Sequence, residues 1–69
     1  MNIDGIEEIY NSWLNGQMKQ MVNQIKEYEY STGDSFWDGL DEYMREWNPI
    51  LKYRTLFEIV SYYTKFGGQ

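Results

Sequence analysis

The chain has 69 residues, enough for one small domain, and contains neither cysteine nor histidine. That excludes disulfide staples and most zinc chemistry, and it removes the commonest general base and the strongest nucleophile. A formal charge of −5 argues against direct nucleic-acid binding, which needs Lys and Arg to neutralise phosphates, and against anionic membrane surfaces.

Helical spacing dominates from the start. Asp4 followed by Glu7 has the separation of a capping box and opens a helix over about residues 4–14. Ile3, Ile6, Ile9, Tyr10, Trp13 and Leu14 form its apolar stripe, at steps of three and four. Met18, Met21, Val22, Ile25 and Tyr28 continue that spacing over about residues 16–30. One long kinked helix would also satisfy these positions. Asn15-Gly16 decides against it, because both residues form helix poorly and together they signal a turn.

Ser31-Thr32-Gly33-Asp34 reads as a loop. Ser35, with Asp38 three residues on, opens a third helix over about residues 35–47. Phe36, Leu40, Tyr43 and Trp47 mark its buried face, with Trp37 and Met44 beside them and Asp38, Asp41, Glu42 and Glu46 on the other side. Asn48-Pro49 ends that helix and begins a fourth over about residues 49–66, since Asn suits an N-cap and Pro the first helical turn.

The fourth helix is apolar nearly all round, which marks a central or interfacial element. The β-branched and aromatic run 55–64 would also suit a strand, but the chain offers it no pairing partner. Gly67-Gly68 stops the helix. The expected fold is therefore all-α, a compact bundle of four short helices forming one domain over residues 1–69. No stretch approaches the roughly 18 apolar residues of a membrane span, and no basic segment leads into an apolar one at the N-terminus. A cytoplasmic location is expected.

Charge is unevenly distributed. Residues 1–48 carry ten carboxylates against Lys19, Lys26 and Arg45, whereas residues 49–69 carry Glu58 against Lys52, Arg54 and Lys65. Thirteen aromatic side chains lie among them. Asp38, Asp41, Glu42 and Glu46 are close enough on one helix to approach a metal ion. Hard-cation sites, however, converge from several elements or from a dedicated loop, so these read as a solvated acidic face. Neither a metal nor a cofactor is expected, nor is an enzyme. The terminal Gly67-Gly68-Gln69 matches the catalytic triplet of peptide-release factors. Those proteins carry it on a long basic loop, so here it reads as a helix stop and a frayed end.

The run Ser12-Trp13-Leu14-Asn15-Gly16-Gln17, continuing through Lys19-Gln20-Met21-Val22 and Gln24-Ile25-Lys26-Glu27-Tyr28, resembles small helical proteins encoded by bacteriophages and prophages of Gram-positive bacteria. The resemblance spans residues 6–28 best. It implies a phage-type accessory protein inside a bacterial host, binding host or defence machinery, and it transfers no activity.

These readings converge on a protein-binding role. Asp34, Trp37, Asp38, Asp41, Glu42 and Glu46 are the expected partner-binding residues, with the carboxylates as rim charges that set on-rate. A homodimer is expected through Leu56, Ile59, Val60 and Tyr63 of the fourth helix. The alternatives are a DNA mimic using the same carboxylates against a nucleic-acid enzyme, and a self-assembling structural protein.

Overall fold

A computed structural model describes residues 3–67, and of Ile3 and Asp4 it describes the backbone alone. Among the described residues four helices follow one another: α1 (Ile3–Leu14), α2 (Met18–Thr32), α3 (Phe36–Tyr43) and α4 (Pro49–Gly67). No strand occurs among the described residues, including the run 55–64. The expected roles of Ile3 and Asp4 as stripe and cap side chains, and of Gly68 and Gln69, fall outside what is described.

The corner at Asn15-Gly16 is real. Gly16 takes a left-handed φ of 74°, and its N–H donates to the Trp13 carbonyl at 3.1 Å while the Gln17 N–H donates to that of Ser12 at 2.9 Å. This bond pair is the Schellman motif, which satisfies carbonyls at the end of α1 and turns the chain sharply. Asn15 thus closes α1, and α2 begins at Met18 rather than near residue 16.

The next junction differs in detail from expectation. α2 continues through Ser31 and Thr32 and ends where Gly33 adopts φ 74°, its N–H bonded to the Glu29 carbonyl at 3.0 Å. Thr32 reinforces this end by donating from Oγ1 to the Tyr28 carbonyl at 2.8 Å and accepting the Asp34 N–H at 3.1 Å. Ser35 precedes α3 but makes no side-chain cap. The Glu29 carboxylate, reaching over from α2, accepts the Phe36 N–H at 2.9 Å instead.

α3 ends at Tyr43, four residues short of expectation. Turn bonds from Arg45 N–H to the Glu42 carbonyl and from Trp47 N–H to the Met44 carbonyl tighten the chain as it reverses towards α4. Trp47 thereby reaches Tyr10 of α1, edge-on at 5.5 Å. Asn48 caps α4 as its sequence suggests, with Oδ1 accepting the N–H groups of Ile50 at 2.9 Å and Leu51 at 3.4 Å.

The bundle measures 31 × 25 × 18 Å, and its narrowest extent leaves room for two helix layers of about 10 Å each. α2 packs against α1, α3 and α4 and is the central helix. The core consists of Ile6 and Ile9 of α1, Met21, Val22, Ile25 and Tyr28 of α2, Phe36 and Leu40 of α3, Met44, and Ile59 of α4. α3 comes close to α1 because residue 39 is glycine. A Cβ there would stand 2.9 Å from Ile6 Cδ1 and 3.2 Å from the Tyr28 hydroxyl.

α4 is not central. It buries only Thr55 and Ile59 and leaves much of its apolar surface in solvent. A helix that is apolar all round needs cover on all sides, and three short helices supply it on one.

Candidate functional site

The acidic residues are spread along α3 and its flanks. Asp34 lies in the loop before α3, Asp38, Asp41 and Glu42 on the helix, and Glu46 in the turn after it, all of them exposed. Asp41 is held by the Lys52 ammonium of α4 at 2.8 Å. Asp34, Asp38, Glu42 and Glu46, spaced four residues apart, form no ion pair with any described residue. No group of three or more acidic side chains among the described residues comes close enough to hold a metal ion.

Trp37 is half-buried, set edge-on to Phe36 at 4.9 Å and to Tyr63 at 5.5 Å, so it ties α3 to α4. The aromatic component expected of this face is therefore largely used in packing. A second aromatic group, Tyr10, Trp13, Tyr43 and Trp47, closes the other side of α3 in the same way.

Shallow depressions among the described residues include one of about 300 Å³ between α1 and α2 and one of about 290 Å³ beside Asp34, Ser35 and Asp38. Both lie at the lower limit of small-molecule sites. Tyr28 borders each of them. Burial, with the Asp34 charge adding to it, raises its hydroxyl pKa above the ordinary 10.0. Tyr10 is raised likewise, by burial and then by Tyr43.

The expected self-association set requires correction. Ile59 is fully buried in the core. Leu56 and Tyr63 are half-buried against that core, and of the four residues Val60 alone is exposed.

The surface that α4 does offer lies on its other side. Ile50 is 79% exposed, Tyr53 68%, Phe57 72% and Val60 43%. Thr64, also exposed, continues the row. Positions 50, 53, 57, 60 and 64 advance by three and four residues alternately, which places them on one helix face. At about 100° per residue that face points almost directly away from Thr55 and Ile59. Arg54 and Glu58 run along its edge, joined at 3.4 Å. The spacing was present in the sequence, but α4 has apolar residues at so many positions that this row did not stand out.

No protein-family model, curated protein or solved structure matches this chain. No helix among the described residues is long and apolar enough to cross a membrane.

Proposed function

We propose that this chain is a phage-type accessory protein that acts by binding other proteins rather than by catalysis, in the cytoplasm of the host cell. The observation that carries this reading is the row Ile50, Tyr53, Phe57 and Val60, large apolar side chains left in solvent on one face of α4. Contiguous exposed apolar surface on a small protein marks a contact site, and Tyr is among the residues enriched in binding hot spots. The target is a host or defence protein. The carboxylates at positions 34, 38, 42 and 46 act at longer range, drawing a basic surface towards the protein and setting the on-rate.

The test is capture from a bacterial lysate with wild-type protein, Phe57→Glu, and a variant carrying Asp38→Asn with Glu42→Gln. The expected result is a partner retained through high salt and lost with Phe57→Glu. Loss of nothing on changing Phe57 would refute the role of α4.

A second reading has its own observation. The four unpaired carboxylates at four-residue spacing suit a DNA mimic that occupies the basic cleft of a nucleic-acid enzyme. In that case capture is abolished by salt and by competing DNA, and the doubly neutralised variant fails while Phe57→Glu still binds.

A further inference from the structure

We infer that the outer face of α4 is closed by the same face of a second copy of this chain, the two helices lying antiparallel. The inference rests on the reading of that face as an interface, and it sets a second copy against the host protein as its occupant, since a row covered by one is closed to the other. Three features select a second copy.

The first is spacing. Ile50, Tyr53, Phe57, Val60 and Thr64 follow the alternating three-and-four step of a heptad seam, the pattern by which two helices pack side by side. A face carrying such a seam is complementary to itself. A two-fold interface requires that property, because both copies contribute the same patch.

The second is area. Tyr53 and Phe57 are each about 70% exposed, and Ile50 and Val60 add to them. With about 150–250 Å² for each whole aromatic side chain, the face offers on the order of 500 Å². Stable interfaces begin at roughly 600 Å² per partner. Two copies therefore come close to that threshold without rearranging the bundle, which suits a weak, concentration-dependent pair. Covering the face also brings the row from solvent into an apolar environment, which the three other helices of the same chain do not achieve.

The third feature sets the direction. Centred on residue 55, an antiparallel pair places Ile50 opposite the partner copy's residue 60 and Tyr53 opposite its residue 57. Each layer then joins side chains of different shape. A parallel pair stacks Tyr53 on Tyr53 and Phe57 on Phe57.

The experiment is sedimentation equilibrium of wild type and Phe57→Glu, with circular dichroism as a folding check. Phe57 is exposed in the single chain, so its replacement leaves the core intact. Wild type is expected at twice the 8.4 kDa chain mass. Phe57→Glu is expected to be helical and to dissociate at least roughly 30-fold more readily, as befits a residue at the centre of a small interface. Wild type at single-chain mass at about 1 mM, where even a millimolar affinity would half-fill the interface, would overturn self-association. If Phe57→Glu then still abolished capture of a lysate partner, the face would remain an interface for another protein; if it changed neither mass nor capture, both readings would fall. Direction is read separately, from spin labels on Thr64→Cys in this otherwise cysteine-free chain. Antiparallel packing separates them by about 27 Å, from 1.5 Å per residue. A distance near the interaxial spacing of about 10 Å would overturn the antiparallel arrangement.

Discussion

Removing the Glu29 carboxylate tests how α3 is anchored. α3 has eight residues, too few to hold a helix without outside help, and its N-terminal serine makes no side-chain cap. The Phe36 N–H instead donates to Glu29 Oε2 at 2.9 Å, across seven residues of chain. Losing an N-cap acceptor costs about 0.5–2 kcal/mol. A carboxylate at a helix N-terminus adds about 0.3–1 kcal/mol through the helix dipole. Glu29→Ala should therefore destabilise by about 1–2 kcal/mol. In a domain of this size that lowers Tm by roughly 5–15 °C, at about 4–8 °C per kcal/mol. Glu29→Gln keeps an acceptor and loses only the charge, so it should lie between wild type and Glu29→Ala. Glu27→Ala, at an exposed neighbour on the same helix, controls for helix propensity and should change little. Urea denaturation followed at 222 nm measures all three. A Glu29→Ala protein within about 0.3 kcal/mol of the Glu27→Ala control would mean that Ser35 takes over the cap, and the anchoring argument would fail.

Ser12→Ala should cost about 1–2 kcal/mol in the same assay. The buried Ser12 hydroxyl donates to Gln24 Oε1 at 2.6 Å and accepts from Gln20 Nε2 at 3.3 Å, so its loss unties α1 from α2. Ile59→Ala should cost about 2–5 kcal/mol by opening a cavity, visible as a large fall in melting temperature, whereas Phe57→Ala at low protein concentration should cost almost nothing. Tyr10 and Tyr28 have hydroxyl pKa values raised above 10.0 in the folded state. Their contribution to stability is thus complete below about pH 10 and is lost as pH rises through the folded-state values. Denaturation midpoints measured from pH 8 to 11 should fall only in the upper part of that range, and less steeply in Tyr28→Phe.

The helices were readable because their signals are local. Capping and turn chemistry at Asn15-Gly16, at Gly33 and at Asn48-Pro49 acts within a few residues, and the apolar stripes of α1 and α2 have one face each. What escaped the sequence was decided between helices. The α3 cap comes from Glu29, a residue of another element. Trp37 lies next to carboxylates in the sequence, yet Phe36 and Tyr63 hold it inward. In α4 the inward face contains Thr55 and the outward face contains Phe57, so hydrophobicity alone points the wrong way. Burial there follows from α2 and α3 occupying one side, which no pattern within residues 49–67 encodes.

This division of α4 links stability to assembly. A chain of 69 residues gains little margin from its own core, since a domain near 60 residues buries only about 60% of its unfolded surface. If a second copy covers Ile50, Tyr53, Phe57 and Val60, part of the folding free energy belongs to the pair and varies with concentration. A tenfold rise in protein concentration then favours the folded dimer by about 1.4 kcal/mol, or about 0.7 kcal/mol per chain. At about 4–8 °C per kcal/mol that raises Tm by roughly 3–6 °C per decade. Thermal melts of wild type across two decades of concentration should show this slope, and those of Phe57→Glu should be flat. A flat wild-type profile, beginning at concentrations where sedimentation shows single chains, would mean that the core residues alone carry the fold and that the outer face of α4 contributes nothing to it.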